Sequence, residues 1–462
     1  MSSSHQVINP ATLELVDEVR FNAQTDVDAA VQRAARFFET SWSSDAVARS
    51  TALRFWSAAI RKHDEELTEA LVAQTGKISK EARREVASCA ATLEYYAGMA
   101  RYVGGRAGTL SDGSEAHLVR EPVGVAALIV PYNWPAALLI RDLAPALAAG
   151  ATAVVKPAPQ TSPVTMRLVE LGYGSGLPDD AVSVVVGDHV VGEALVAHPL
   201  VRVVAFTGST AVGRKIGRLA AGGLKRTLLE LGGKGTSIVF PDADLPTALS
   251  TSLAASVITA GQMCMACTRV LVHTSCFDQA VKHLEAQASQ LVVGDPREDA
   301  TQVGPLISEA QLAKVANYLE IASAEGEIVY GGEQIHPAGL PGHFVTPAIV
   351  TGLAPTSAVV QDDIFGPVLT VEAYHDETEA IALANATPYG LAAAVWTTSL
   401  DTALRVGRKV QAGTVWINGY NKNTAEIPSG GVKNSGLGRT RGVEGMEEFT
   451  VLKNIHFSLG PS

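Results

Sequence analysis

Cysteine is scarce in this sequence, which has four in 462 residues, and basic residues are outnumbered by acidic ones, 36 against 47. Four cysteines are too few to form a disulfide framework in a chain of this length, so we expect a reducing, cytoplasmic setting. The resulting net charge of −11 argues against nucleic acid or an anionic membrane as a partner.

Long uninterrupted apolar segments are also missing. The longest apolar region, 136–155, is interrupted by Arg141, Asp142 and Pro145, which excludes a membrane span. The N-terminus has no Lys or Arg before Arg20 and no apolar core segment, so we expect no signal peptide.

Between residues 123 and 230, short apolar segments alternate strictly with helical patterns. They predict strands at 123–130, 151–156, 182–186, 201–206 and 225–230, and helices at 136–149, 163–171, 190–197 and 210–221. This alternation is typical of βαβ units, so we expect an α/β fold with a Rossmann-like parallel sheet covered on both faces. Such sheets bind ligands at the carboxyl ends of their strands.

Other patterns lie on either side of this region. Apolar periodicity predicts helices at 25–40 and 45–75, and Gly and Asp turn signals predict a hairpin across 104–122. A second alternating region covers about 235–420. A chain of this length exceeds what one core organises, so we expect two or three structural units.

The segment 208–213 follows a predicted strand and opens a predicted helix, whose free N–H groups and positive dipole end favour a phosphate. Only Gly208 and Gly213 are present of the three glycines in the usual dinucleotide fingerprint. An ordinary helix start capped by Ser209 or Thr210 is the other interpretation.

The segment Thr259-Ala-Gly-Gln-Met-Cys264-Met-Ala-Cys267 places a thiol late in an apolar run that we expect to be helical. The spacing of the two cysteines is compatible with a zinc site, a dithiol redox site or two buried core side chains. Zinc is disfavoured because only His273 and Cys276 follow, at a spacing unsuitable for a zinc knuckle. Spacing does not choose between the others.

Glu230 stands between leucines at a predicted strand end, before Gly232 and Gly233. A carboxylate in such surroundings is costly unless it meets water or a partner. One interpretation is an ion pair with Lys234, and the other is a functional carboxylate.

Seven motifs resemble those of the NAD(P)-dependent aldehyde dehydrogenase superfamily, and they occur in the family's order over nearly the whole chain. They are Asn133 in Pro-Tyr-Asn-Trp-Pro, Lys156-Pro-Ala, Phe206-Thr-Gly-Ser-Thr-x-x-Gly, Leu229-Glu-Leu-Gly-Gly-Lys, Gly261-Gln-x-Cys264, Ile364-Phe-Gly-Pro-Val and Gly430-Gly-x-Lys-x-Ser-Gly-x-Gly-Arg439.

The resemblance implies that Cys264 is a nucleophile that adds to an aldehyde and forms a thiohemiacetal. It further implies that the Asn133 side-chain amide and the Cys264 backbone N–H form an oxyanion hole, and that Glu230 activates the water that hydrolyses the thioester. Relatives that pass the acyl group to coenzyme A lack this Glu, so we expect a free carboxylic acid as the product.

The resemblance also implies the residues that bind the cofactor, namely Pro131, Tyr132, Lys156, Gly208, Ser209, Gly213, Asp363 and Phe365. The family commonly has Glu at the position of Asp363. NAD-preferring relatives often carry a Glu where this chain has Pro159, so a charge that would repel a 2′-phosphate is absent here. We therefore expect NAD, with NADP as a second cofactor.

The residues implied for the substrate are Trp134, Arg141, Ile258 and Met265. Three of the four are apolar, which favours an aromatic or medium-length apolar aldehyde. Arg141 favours instead a semialdehyde whose carboxylate it would grip, unless it pairs with Asp142 or Glu170. A thiol esterase or acyl transferase that uses Cys264 without hydride transfer is a further alternative.

Many relatives carry a Lys and a Glu, associated with proton exit, where this chain has Asp142 and Thr440. We hypothesise that Asp142 carries the proton, with bulk water as the alternative.

We expect a dinucleotide-binding domain formed by 1–103 and 123–233, a catalytic domain at 234–432, and a small β oligomerisation element formed by 104–122 and 433–462. The segments 104–122 and 449–457 would each expose a sheet edge in isolation, and pairing between subunits removes that liability. We therefore expect a homodimer or homotetramer. We expect no metal site.

Overall fold

The computed structural model describes residues 4–102 and 104–458, so the last four residues of the predicted oligomerisation tail lie outside the described range. The strands are β1 Ser4–Ile8, β2 Leu15–Arg20, β3 Arg106–Thr109, β4 Glu115–Pro122, β5 Val125–Ile129, β6 Thr152–Lys156, β7 Val182–Val184, β8 Val201–Thr207, β9 Arg226–Glu230, β10 Gly235–Val239, β11 Cys267–His273, β12 Glu327–Tyr330, β13 Gln334–Ile335, β14 Phe344–Val345, β15 Ala348–Thr351, β16 Val368–Tyr374, β17 Ala392–Trp396, β18 Thr414–Ile417, β19 Gly436–Leu437 and β20 Thr450–Phe457.

The helices are α1 Gln24–Phe38, α2 Ala46–Lys62, α3 Asp64–Thr75, α4 Ser79–Met99, α5 Pro135–Ala149, α6 Ser162–Tyr173, α7 His189–Ala197, α8 Thr210–Gly222, α9 Leu245–Ser256, α10 Phe277–Ala288, α11 Glu309–Glu325, α12 Ala358–Gln361, α13 Glu377–Asn385, α14 Leu400–Lys409 and α15 Gly442–Glu447. Within the described ranges, no helix is both long enough and apolar enough to cross a membrane.

A six-stranded sheet has the order β19-β9-β8-β5-β6-β7, with β5 to β9 parallel and β19 antiparallel to β9. The five parallel strands and the helices α5 to α8 lie where the alternating pattern predicts them. The strand order changes direction between β5 and β8, and a crevice that can take a ligand opens at such a point.

The N-terminal region differs from its prediction. The predicted helix 45–75 is broken at His63 into α2 and α3, and three acidic residues in the first turn of α3 favour a fresh helix start there. Helix α4 and the β1–β2 pair were not predicted. Helices α2, α4 and α5 pack together through fully buried side chains that include Trp56, Tyr96 and Leu139.

A seven-stranded sheet has the order β12-β15-β16-β11-β10-β17-β18, and its strands are parallel except for β12, which is antiparallel to β15. Only four residues, 231–234, separate the end of β9 from the start of β10. Because four residues span at most about 14 Å, the carboxyl edge of the first sheet lies near the amino edge of the second.

The three-stranded sheet β20-β4-β3 is antiparallel throughout. Its strands β3 and β4 form the hairpin predicted at 104–122, and β20 covers most of the predicted tail segment 449–457. The α/β architecture with this small additional sheet is therefore confirmed, while the domain boundaries stay a prediction.

Candidate active site

Cys264 lies in a turn between α9 and β11, so the expectation that it ends a helical run is wrong. After α9 the chain passes through Thr259, Ala260 and Gly261 at φ values of 50°, 53° and 76°. A left-handed conformation costs roughly 1–2 kcal/mol for a residue other than glycine. Contacts with distant residues must hold this turn, because local preference opposes it. At Gly261 a Cβ atom would lie 2.2 Å from the carbonyl oxygen of Gly366.

The two neighbouring cysteines occupy different environments. Cys267 is fully buried in β11, and its Sγ donates a hydrogen bond to Ser237 Oγ at 3.4 Å. Cys264 is partly exposed, and both thiols are free. Cys267 is therefore a core side chain. Among the described residues, no group of three or more His, Cys, Asp or Glu side chains could hold a metal ion.

Asn133 lies between β5 and α5 with its side chain 4% exposed. Its Nδ2 donates to the backbone oxygen of Gln262 at 2.9 Å. A side-chain amide nitrogen carries two N–H groups. Asn133 and Cys264 line the same cavity, and the role of the second N–H as an oxyanion donor stays a prediction.

Gln262 is a buried amide beside Asn133 for which the sequence predicts no role. Its Nε2 donates to the backbone oxygen of Thr259 at 3.0 Å, and its Oε1 accepts from the backbone N–H of Ile307 at 3.0 Å. A fully buried amide with satisfied partners fixes the backbone oxygen that orients Asn133. The sequence signal for it is a polar residue between Gly261 and Met263 in an otherwise apolar segment.

Glu230 ends β9 and is 4% exposed. Its Oε1 has no hydrogen-bond partner among the described residues. Burial raises the pKa of its carboxyl to about 7, although the nearby Arg141 opposes the shift. The ion pair with Lys234 is absent, because Lys234 lies beyond the glycine pair and its Nζ donates to the backbone oxygens of Val359 and Asp362.

The glycine pair after Glu230 brings the two sheets into contact at Cys264. A Cβ atom on Gly233 would lie 2.3 Å from the backbone oxygen of Cys264, so no larger residue fits without displacing one of the two segments. Burial raises the pKa of the Cys264 thiol to about 12, and the Glu230 charge adds to this effect while Arg141 opposes it. The Glu230 carboxyl is therefore close enough to act electrostatically on the Cys264 thiol.

Arg141 is 6% exposed and makes the ion pair with Asp142 that the sequence allowed. Its Nε and an Nη atom donate to the two Asp142 oxygens at 2.8 and 2.9 Å, and the same Nη atom donates to Thr207 Oγ1 at 2.6 Å. Glu170 pairs instead with Arg167. Each Asp142 oxygen accepts a hydrogen bond from Arg141, and the role of Asp142 in proton exit stays a prediction.

The other residues implied for the substrate lie in two segments, Trp134 at the start of α5 and Ile258 and Met265 on either side of Cys264. Trp134 is half-buried, and Lys77 Nζ lies 4.0 Å from the centroid of its ring. Ile258 is half-buried at the start of the turn that leads to Cys264. Met265 is buried and packs in a small apolar cluster with Leu391 and Ala392. Their contact with a substrate stays a prediction.

Two adjoining cavities extend from Cys264 along the carboxyl edge of the first sheet. A cavity of about 370 Å³ is lined by Asn133, Cys264, Asp363 and Phe365. A second cavity of about 810 Å³ is lined by Lys156 and by the start of α8. Both touch the residues Pro131, Tyr132, Thr207, Gly208 and Ser209. An elongated cleft of this kind suits a dinucleotide, with one end at the thiol.

At the far end of the cleft, burial lowers the pKa of the Lys156 ammonium to about 8, against the opposing charge of Asp188. Ser209 caps α8, since its Oγ accepts from the backbone N–H of Val212 at 3.4 Å. The capped-helix interpretation is therefore observed, and the same helix start lines the cleft. Gly213 is buried in the first turn of α8.

At the near end, burial raises the pKa of Asp363 to about 6, while Lys314 and Lys234 oppose the shift. One carboxylate oxygen would lie 2.6 Å from a Cβ atom on Gly232, and the nearby N–H groups of Gly233 and Phe365 favour the charged form of the carboxyl. The Phe365 ring meets the Tyr132 ring edge-on at a centroid distance of 6.1 Å. The short carboxylate is thus held against the backbone beside the cavity.

Known proteins match this chain over nearly all its length. A model of the aldehyde dehydrogenase family matches residues 1–455. The betaine aldehyde dehydrogenase of Vibrio vulnificus is 38% identical over 99% of this chain and 95% of its own length. The hydroxyisobutyraldehyde dehydrogenase of Mycolicibacterium austroafricanum is 36% identical over 98% of this chain and 90% of its own length.

Solved structures show the same fold. The betaine aldehyde dehydrogenase of Staphylococcus aureus, crystallised in complex with NAD⁺, superposes with a TM-score of 0.96 at 35% identity and covers 100% of this chain and 92% of its own. A second structure, an NAD-dependent enzyme from Sinorhizobium meliloti, gives a TM-score of 0.96 at 37% identity, with coverage of 100% and 92%.

Proposed function

This chain belongs to the aldehyde dehydrogenase family, and we propose that it oxidises an aldehyde to the free carboxylic acid with NAD, through Cys264 as nucleophile. One observation carries the proposal: Asn133, Glu230 and Cys264, which are far apart in sequence, converge where the two large sheets meet. A structural role for the site requires neither a bare buried carboxylate nor an oriented amide beside a thiol.

The residues of the cleft fit a nicotinamide dinucleotide. The cleft offers a buried ammonium at Lys156 and a helix N-terminus at Ser209, which suit the ribose and the pyrophosphate respectively. Pro131, Tyr132 and Phe365 provide apolar and aromatic surface near Cys264. When bound, NAD supplies the hydride acceptor. NADP is a second cofactor in this proposal, because Pro159 lines the cavity without a negative charge.

The first chemical step forms a bond between sulfur and carbon. Glu230 takes the proton of the Cys264 thiol, and the thiolate adds to the carbonyl carbon. The carbonyl electron pair moves onto oxygen, where Asn133 Nδ2 and the Cys264 backbone N–H donate hydrogen bonds. Loss of hydride from this carbon leaves a thioester on Cys264.

The second step breaks the same bond. Once Glu230 has released its proton to solvent, its carboxylate takes a proton from water, and the hydroxide attacks the thioester carbon. The carbon–sulfur bond breaks, and Cys264 recovers its proton. A pKa near 7 suits a group that must both accept and release a proton near neutral pH.

For the substrate we propose an aromatic or medium-length apolar aldehyde. Trp134, Ile258 and Met265, the apolar side chains that the family resemblance implies for the substrate, favour such an aldehyde, and the Arg141 charge is already balanced by Asp142. The betaine aldehyde dehydrogenases among the relatives suggest a quaternary ammonium substrate. One face of the Trp134 ring is already covered by the Lys77 ammonium, so it is not free for such a cation.

A semialdehyde is the second candidate, supported by the buried guanidinium of Arg141 near Cys264. It requires Arg141 to exchange part of its pairing with Asp142 for a substrate carboxylate. A thiol esterase is the third, supported by Asp363, whose side chain is one methylene shorter than the Glu that is common in the family at this position.

We further propose a homodimer or homotetramer in the cytoplasm. The outer strand β20 exposes Leu452, Ile455 and Phe457, and a neighbouring subunit would cover them. Light scattering of the purified chain tests this, and a monomer at micromolar concentration would contradict it.

A panel of aldehydes, offered with NAD and then with NADP, tests the function through the near-ultraviolet absorbance of the reduced cofactor. We expect turnover of aromatic and apolar aldehydes, weaker turnover of semialdehydes and little of betaine aldehyde. Preference for succinic semialdehyde would favour the Arg141 alternative. Rapid cleavage of an aryl ester, without cofactor reduction by any aldehyde, would favour the esterase.

A further inference from the structure

Helix α4 places two carboxylates, Glu81 and Glu85, one turn apart in its first two turns. Residues at this spacing lie on one face of a helix, about 6 Å apart along its axis. Glu85 is fully buried, and Glu81 is half-buried. Lys77, which is 1% exposed, donates to Glu85 and also acts electrostatically on Glu81.

Glu85 caps the helix that follows Asn133. Its Oε1 accepts from the backbone N–H groups of Ala136 and Ala137 at 2.9 and 3.0 Å. The N-cap residue of α5, Trp134, makes no side-chain cap bond, and Pro135 has no N–H. A carboxylate from a different helix therefore satisfies the orphan donors of α5 and meets its positive dipole end.

Glu81 holds the turn that precedes Cys264. Its Oε1 accepts from the backbone N–H of Thr259 at 2.9 Å, and its Oε2 accepts from Thr259 Oγ1 at 3.2 Å. Thr259 is a β-branched residue in a left-handed conformation, which persists only where surrounding structure imposes it. The backbone oxygen of the same residue accepts from Gln262, the residue that orients Asn133.

Helix α4 thus makes hydrogen bonds to both backbone segments that carry the oxyanion donors, the start of α5 after Asn133 and the turn before Cys264. For the reaction proposed above, we propose that Glu81 and Glu85 are positioning residues. The two carboxylates are joined through Lys77, and they set the distance between the Asn133 amide and Cys264. They touch neither aldehyde nor cofactor. Their effect is on geometry at the reacting carbon, where a displacement of about 1 Å can cost on the order of 10²-fold in rate.

The decisive comparison is Glu81→Ala against wild type, with Glu94→Gln as a matched control. Glu94 lies on the same helix, but it is exposed and pairs with Arg61 at the surface. For Glu81→Ala we expect kcat for aldehyde oxidation to fall about 10- to 100-fold, with the KM for NAD and the Kd for NAD within about 3-fold of wild type. Glu94→Gln should match wild type throughout.

A second measurement distinguishes a misplaced oxyanion donor from a general loss of structure at the site. Alkylation of Cys264 by iodoacetamide needs a free thiol but no oxyanion donor, so its rate should stay within about 3-fold in Glu81→Ala while kcat falls. Glu81→Gln keeps an oxygen that can accept from the Thr259 N–H, and it should recover part of kcat. A folded Glu81→Ala enzyme with kcat within about 3-fold of wild type would overturn the proposal.

If Glu81→Ala does not fold, the paired variant Lys77→Met/Glu85→Leu decides instead. It removes a buried cation together with its directly bonded carboxylate, so neither partner of that pair is left buried and unpaired. The same loss of kcat, with alkylation and NAD binding retained, supports the proposal, and unchanged kcat overturns it. Wild-type protein that reduces no NAD with any aldehyde would instead remove the proposed function.

Discussion

The two walls of the cleft differ in how firmly their residues are held. On the wall that carries Asn133 and Cys264, Asn133 donates to Gln262, Gln262 donates to Thr259, and Thr259 donates to Glu81, so that hydrogen bonds connect one segment to the next. On the opposite wall, the Lys156 Nζ donates to the oxygen of its own neighbour Pro157, and Ser209 is exposed. Atoms that change bonds require fixed geometry, whereas a cofactor has to enter and leave.

The largest effect on this difference between the two walls is expected when the nucleophile is removed. Cys264→Ala should lower kcat at least about 10⁴-fold, because no other group can form the thioester. NAD affinity should remain, since the opposite wall is intact. Cys276→Ala, at a half-buried thiol elsewhere, is the control for loss of a cysteine as such. Residual turnover above about 1% in Cys264→Ala would exclude Cys264 as nucleophile.

The next largest effect is expected at the base. Glu230→Gln should slow thioester hydrolysis about 10²- to 10⁴-fold, and it should also slow thiolate formation, because the same carboxylate takes the Cys264 proton. In wild type, hydrolysis needs ionised Glu230, so its rate should rise with pH and level off above about 7. Rapid-mixing measurements across pH check this. A variant that retains the wild-type pH profile would contradict the assignment.

A smaller effect, again on catalysis and not on cofactor binding, is expected for Asn133→Ala. Loss of one oxyanion donor should lower kcat about 10²- to 10³-fold, with little change in the KM for NAD. Steady-state kinetics with an apolar aldehyde provide the measurement. Asn454→Ala, in the exposed part of β20, is a matched control. A rise of the same size in the KM for the aldehyde, without loss of kcat, would show that Asn133 binds the substrate in its ground state instead.

The smallest effect is expected on the opposite wall. Lys156→Met should raise the KM for NAD about 10-fold or more, through loss of a charge-assisted hydrogen bond, and leave kcat within about 3-fold at saturation. Lys215→Met, at an exposed residue along the same cavity, should change the KM less. A large fall in kcat for Lys156→Met would mean that both walls carry the chemistry.

The alternation of apolar and helical patterns predicted β5 to β9 and α5 to α8, because a parallel sheet covered on both faces leaves a strong pattern in sequence. The turn before Cys264 could not be predicted in this way. Thr259 and Ala260 have no preference for a left-handed conformation, and Glu81, which holds Thr259, lies 178 positions away. Tertiary contacts overrode local preference there.

The residues of the site were identified from motifs, but their pairing depended on distance in space. The Glu230–Lys234 pair looked plausible because the two are neighbours in sequence, yet the glycine pair between them turns Lys234 toward Val359. No sequence pattern indicates a role for Glu85, because the helix that it caps begins about 51 positions further along the chain. Sequence spacing indicates partners within one element and says little about partners on another.

The four-residue connection 231–234 has a consequence for how this chain can change over generations. One inserted residue would add about 3.3 Å between β9 and β10 and move Glu230 away from Cys264. A deletion would pull the two sheets out of register with the cleft. Insertions should instead accumulate in exposed turns such as 110–113. The length of the connection 231–234 should stay constant in active variants of this chain.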